Sequence, residues 1–181
     1  MKTNAAGRRI DVLFDAGKIA ARNQALAKEI IAAGLDHLLI VAVLKGSFVF
    51  AADLIRALHA VGMSPEVDFI SLSSYRAGTT SSGQVTILRD VESDVRDRNV
   101  LLVDDILESG RTLAFAKDLM AARRAKTVNT CVLLNKPGKR AANIEADFVG
   151  FECPDLFVVG YGMDMAHSFR ELPYVGVVAS D

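Results

Sequence analysis

The sequence predicts an α/β fold, with a mainly parallel, twisted sheet, helices on both faces and a small C-terminal subdomain. Three observations carry that expectation. Apolar runs of strand length alternate with segments whose apolar residues recur at helical spacing, the pattern of βαβ units. From residue 148 onward the pattern changes to short strand-like pieces separated by Pro154 and Pro173. The length of 181 residues, 51% hydrophobic and 24% charged, suits one soluble domain able to bury roughly 70% of its unfolded surface. We therefore expect a single domain over residues 1–181. Its core occupies about 12–147, and a hood is built from 148–181 with N-terminal residues.

The elements follow in order. Helical spacing covers residues 16–33 and closes at Gly34, and residues 38–43 form a buried strand. A loop with Lys45 and Gly46 leads into a second helix, where Phe48, Ala51, Ile55 and Leu58 share a face up to Gly62. The Ser64-Pro65 turn precedes a strand over 67–72. Residues 73–83 are rich in Ser, Thr and Gly, with Tyr75 the single aromatic group, and read as a mobile loop before a strand at 84–88. A strand at 100–103 precedes a helix marked by Leu113, Ala116 and Met120. Strand 128–134 then runs into a polar turn at 135–140. Short strands at 148–151, 157–159 and 174–178 complete the chain. In such a sheet, ligands bind outside the carboxyl ends of the strands, where the Lys45, Asp104 and Lys136 loops all lie.

Composition excludes several classes of function. The net charge is −1 without a block of like charges, so the electrostatic footprint of a nucleic-acid binder is missing. The one long apolar run, 38–44, is far too short to span a bilayer, and Arg8 and Arg9 are not followed by the apolar stretch of a secretory signal. A cytoplasmic location is expected. Cys131 and Cys153 are isolated and read as buried thiols, and His37, His59 and His167 are scattered, so none receives a role.

The chemistry is concentrated in residues 100–112, Val-Leu-Leu-Val-Asp-Asp-Ile-Leu-Glu-Ser-Gly-Arg-Thr. A strand end feeding a helix N-terminus gathers backbone N–H groups and the positive end of a helix dipole around one point, which suits a phosphate. Ser109 and Thr112 add hydroxyl donors. Asp104 and Asp105 would repel that anion unless sugar hydroxyls or a cation lay between, so the stretch implies a phosphorylated polyhydroxyl ligand with a divalent metal.

This stretch resembles the phosphoribosyl-pyrophosphate motif of the type I phosphoribosyltransferases, with Glu108 where that pattern usually has Asp. Other segments resemble the hypoxanthine-guanine branch of the family: Leu44-Lys45-Gly46-Ser47, Ser73-Ser74-Tyr75, the 133–139 stretch, and 147–170. The resemblance runs from about Val12 to the last strand. It implies transfer of hypoxanthine or guanine to phosphoribosyl pyrophosphate in purine salvage, with magnesium required. It further implies that Lys45, Gly46, Asp104, Asp105, Glu108, Ser109, Gly110, Arg111, Thr112 and Arg170 bind phosphoribosyl pyrophosphate. Lys136, Phe157, Val158 and Asp164 would bind the purine, while Ser74 and Tyr75 would open the lid. Glu108 would act as general base, and Asp104, Asp105 and Asp164 would face the metal.

Expected partners are a 6-oxopurine and phosphoribosyl pyrophosphate, with neither nucleic acid nor membrane, in a homo-oligomer of two or four subunits. A xanthine-preferring enzyme and a nucleic-acid-binding regulator of the same fold remain alternatives. A dehydrogenase is disfavoured, because no Gly-x-Gly-x-x-Gly follows an early strand.

Overall fold

The structure is a computed structural model that describes residues 2–3, 9–74 and 85–179. In chain order the elements are β1 (Lys2–Thr3), β2 (Arg9–Phe14), α1 (Ala16–Ala32), β3 (Leu39–Leu44), α2 (Phe48–Ala60), β4 (Glu66–Ser74) and β5 (Val85–Arg89). They continue with β6 (Asn99–Leu107), α3 (Arg111–Ala122), β7 (Thr127–Asn135), a 3-10 turn (Pro137–Lys139), β8 (Phe148–Glu152), β9 (Val158–Val159) and β10 (Val175–Val178).

Six strands form the main sheet in the order β5-β4-β3-β6-β7-β8, all parallel except β5, which closes one edge antiparallel to β4. Side chains alternate along a strand, so the central strands feed two cores. On one face Ile40 and Ala42 of β3 and Leu101 and Val103 of β6 meet Leu26 and Ile30 of α1 and Phe50 and Leu54 of α2. On the other, Leu39, Val41 and Leu102 meet Leu113, Ala116 and Met120 of α3. Each of the larger side chains among them stabilises the fold by about 1.5–3 kcal/mol of transfer free energy, the alanines by less. Both cysteines are buried and free within this packing. Among the described residues no helix is long and apolar enough to cross a membrane.

A second sheet, β1-β2-β10-β9, is antiparallel and joins the two ends of the chain. Ile10, Val159, Phe169 and Tyr174 form its small core. Strand β2 was not foreseen as a strand. Of its six residues only Ile10 is buried, so the run lacks the alternation that would mark it.

Two boundaries also differ from expectation. Strand β6 does not stop at Val103 but continues through Asp104 and Asp105 to Leu107, because β7 pairs with it along that length, Asp104 opposite Val132 and Leu107 opposite Asn135. Strand β9 begins at Val158, leaving Phe157 outside it.

Candidate active site

The carboxyl ends of β3 and β6 and the start of α3 enclose a cavity of about 520 Å³. Lys45, Gly46, Asp104, Asp105, Glu108, Ser109, Gly110, Thr112 and Asp164 line it. A second cavity of about 390 Å³ lies against it, lined by Lys136, Phe157, Val158 and Met163 and sharing Asp105, Ile106, Glu108 and Asp164 with the first. Residues far apart in sequence thus form two chambers with a common wall.

The turn between β6 and α3 is shaped by Gly110, which caps the helix at φ 79°. A side chain there would be strained, and its Cβ would lie 2.6 Å from Ile144. The hydroxyl of Ser109 accepts a long bond of 3.4 Å from the Arg111 amide. The Leu44-Lys45 peptide, which opens the loop after β3, is cis. The Ser47 hydroxyl donates back to the Val43 carbonyl at 2.6 Å, holding that loop against its own strand.

Close packing joins this loop to its neighbours. A Cβ at Gly46 would collide with Asp105 Oδ2, and one at Gly162 (φ 100°) would collide with the Gly46 carbonyl oxygen. The Gly162 segment therefore packs directly on the Gly46 backbone, and Gly46 in turn makes room for the Asp105 carboxylate. Gly162 was missed in sequence reading; the Gly160-Tyr161-Gly162 spacing was its available signal.

Asp104 is buried, and its Oδ1 accepts the Asp105 amide at 2.9 Å. Burial, reinforced by the adjacent Asp105 carboxylate, pushes the Asp104 carboxyl well above the ordinary range. Such a group gains from a partner that brings hydrogen-bond donors or positive charge to it. Asp164 accepts Arg170 Nη2 at Oδ1 and the His167 amide at Oδ2, both at 2.8 Å, which fixes the carboxylate but leaves each oxygen a further lone pair.

Among the described residues no cluster of three acids, histidines or cysteines is arranged to cage a metal by itself. The oxygen donors of Asp104, Asp105 and Asp164 around one cavity nonetheless fit a hard cation that takes one or two carboxylates and completes its shell with ligand oxygens and water, as magnesium does.

In the second chamber Lys136, 8% exposed at its side chain, donates from Nζ to Glu108 Oε1 at 2.8 Å. Phe157 is 60% exposed, while Val158 is packed in the core. Lys139 pairs with Asp155 at 2.8 Å, and both line this chamber.

Two expected binding residues, Arg111 and Arg170, line neither chamber. Arg111 is exposed, and as the first residue of α3 its side chain turns outward. Arg170 is spent on Asp164 and on the Gly162 carbonyl at 2.6 Å. Tyr75 lies outside the described residues, while Ser74 ends β4 opposite Val85. Sequence reading also passed over Asn135 and Arg140, which bond each other at 2.7 Å behind the site and carry no local spacing signal.

The sequence matches the phosphoribosyl transferase domain family over residues 10–166. It is 41% identical over 172 residues to the hypoxanthine phosphoribosyltransferase of Escherichia coli (strain K12), covering 93% of this chain and 95% of that one. Over 140 residues it is 47% identical to the hypoxanthine-guanine phosphoribosyltransferase of Bacillus subtilis (strain 168), covering 77% and 76%. The crystal structure of a Bacillus anthracis hypoxanthine-guanine phosphoribosyltransferase, with HEPES in its active site, is similar at a TM-score of 0.86 and 40% identity. It covers 94% of this chain and 100% of that one.

Proposed function

The chain belongs to the phosphoribosyl transferase domain family, and from that premise we propose that it joins hypoxanthine or guanine to phosphoribosyl pyrophosphate, releasing pyrophosphate and the nucleoside monophosphate. The observation that carries this reading is the pair of chambers meeting at Glu108, Asp105 and Asp164. One is suited to a phosphorylated sugar, the other to a flat base, and a bond made between the two ligands would form at their shared wall.

In the first chamber the 108–112 turn holds the 5′-phosphate with backbone amides and the Ser109 and Thr112 hydroxyls, and the backbone of Arg111 belongs to the same turn. Asp104 and Asp105 accept the ribose hydroxyls. Lys45 and Gly46 lie against the pyrophosphate, with Arg170 entering by way of Asp164. Magnesium, when bound, supplies charge neutralisation to the pyrophosphate leaving group. The carboxylates of Asp104, Asp105 and Asp164 are the residues that would hold it. Their negative charge also favours the positive character that develops on the sugar carbon as pyrophosphate departs.

In the second chamber Phe157 offers a ring face to the purine and the Val158 backbone meets its edge. Lys136 donates to the 6-oxo oxygen and Glu108 accepts the proton of the adjacent N7 as N9 forms its new bond. The 2.8 Å pairing of Lys136 with Glu108 supports this, because it places a donor and an acceptor side by side, as the 6-oxo and N7 positions require. Ser74 and Tyr75 begin a lid that would exclude water from the reacting centre. Residues 148–179 would serve as the hood over this chamber. Cytoplasmic action and assembly into a dimer or tetramer belong to the same proposal, and fractionation and light scattering would read them.

The test is turnover with hypoxanthine, guanine, xanthine and adenine, each with phosphoribosyl pyrophosphate and magnesium present and then singly omitted. Activity is expected with the 6-oxopurines, and thorough chelation should abolish it until magnesium is restored. Adenine presents a donor to the Lys136 ammonium, which has no acceptor capacity, so it should be rejected by a factor on the order of 10⁴. Comparable specificity constants for adenine and hypoxanthine would overturn the placement of Lys136.

A further inference from the structure

Every carbonyl of the 107–109 stretch is taken up by the loop that follows β7. The Lys136 amide donates to Leu107 O at 2.9 Å, and the Ala141 and Ala142 amides both donate to Ser109 O, at 2.9 and 3.0 Å. The carbonyl between them, Glu108 O, accepts Arg140 Nη1 at 2.8 Å. In a trans peptide the N–H points opposite to the C=O. Fixing Glu108 O and Ser109 O toward the 136–142 loop therefore turns the Ser109 and Gly110 amides the other way, toward the first chamber, which both residues line.

Two of these three carbonyls are held by backbone. The Glu108–Ser109 peptide alone depends on a side chain. Without Arg140 that peptide could rotate and present its oxygen to the chamber, where an anion would meet a lone pair instead of a donor. The guanidinium also sits on the carbonyl side of the peptide, so its charge polarises the N–H that faces the chamber.

The same guanidinium reaches the other chamber's framework. Arg140 Nη2 donates to Asn135 Oδ1 at 2.7 Å, and Asn135 Nδ2 donates to both Glu152 oxygens at 3.0 and 3.1 Å. Asn135 is the last residue of β7 and directly precedes Lys136. Arg140 lines neither chamber, and its buried Nε has no partner among the described residues, so the side chain is held by its two forked bonds.

We propose that Arg140 is a positioning residue: it locks the Glu108–Ser109 peptide in the orientation that makes its amide a phosphate donor, and couples that peptide to the strand end carrying Lys136. This rests on the reading above that the 108–112 turn receives the 5′-phosphate.

The experiment uses Arg140→Gln and Arg140→Lys in the full chain. Ribose 5-phosphate is the probe, since it carries the 5′-phosphate without the pyrophosphate or the base. Its affinity would be measured by calorimetry, alongside kcat and KM for each substrate and the urea midpoint. Arg140→Gln should weaken ribose 5-phosphate about tenfold or more, the scale of a lost charge-assisted bond, and raise KM for phosphoribosyl pyrophosphate in parallel. Hypoxanthine KM should change less than about threefold, because the Lys136 amide remains tied to Leu107 O. Arg140→Lys, whose single ammonium satisfies one of the two acceptors at a time, should fall between.

A merely structural role would lower the urea midpoint and the active fraction but leave ribose 5-phosphate affinity per active site unchanged, and that result in either variant overturns the proposal. If Arg140→Gln does not fold, the same comparison on Arg140→Lys decides. Wild-type protein that neither turns over phosphoribosyl pyrophosphate nor binds ribose 5-phosphate would sink the parent reading and the clamp with it.

Discussion

Glu108 carries one more methylene than an aspartate would at its place, and that reach ends on Lys136 Nζ at 2.8 Å. A glutamine at 108 keeps the shape and removes the charge. In the role proposed here, Glu108→Gln should lower single-turnover transfer by roughly 10²-fold or more, the usual worth of positioned proton transfer, while Glu108→Asp should retain most activity. Wild-type rates for Glu108→Gln under single-turnover conditions would leave this turn only its phosphate contacts. Asp104 and Asp105 stand out in the chain because a strand end and a Ser-Gly turn bracket them locally, whereas Lys136 and Asp164 gain a role only through the family resemblance. The pairing of Glu108 with Lys136 could not be read, since the two are brought together only by the register of β6 against β7.

Strand β4 bears an anchor that no local pattern announces. Asp68 is buried, and its carboxylate accepts the amides of Phe69 at 2.7 Å and of Glu92 and Ser93 at 2.8 Å each. Burial alone would raise its pKa, but the bonds from Ser93, Phe69 and Glu92 outweigh it and hold the carboxyl below its ordinary value. A depressed carboxyl adds stability above the unfolded value of about 3.9 and loses it as pH falls through the folded value. Asp68→Asn turns one acceptor into a donor facing donors, so it should cost about 1–3 kcal/mol at neutral pH. Urea unfolding of the two proteins should converge as pH drops below about 4, and a constant gap down to pH 2 would show that the charge on Asp68 is not the cause. Helices α1, α2 and α3 and the parallel strands were legible because their apolar periods are strong and local. The anchor was not, because two of its three partners lie 24 and 25 positions along the chain.

At the scale of the molecule, Tyr161 links the Gly160–Arg170 segment to the helices beneath it. Its hydroxyl accepts Asn23 Nδ2 of α1 at 2.9 Å and donates to Asp53 Oδ2 of α2 at 2.6 Å. Tyr161→Phe leaves the buried Asn23 amide and one Asp53 oxygen without that partner, and should cost about 1–3 kcal/mol in thermal or urea unfolding. Equal stability would mean that packing of the ring alone holds the segment. The main sheet was readable as a class because alternating strands and helices admit few arrangements. The second sheet was not, because β2 owes its order to β10, near the opposite end of the sequence. That separation has a consequence for biosynthesis. At roughly 5–20 residues per second, a ribosome completing the chain leaves Arg9–Phe14 waiting on the order of ten seconds for the strand it pairs with. Ile10, fully buried in the finished protein, spends that interval bare. In arrested nascent chains the 9–14 segment should be open to protease until residues 175–178 have emerged to pair with it, well after the central strands are protected.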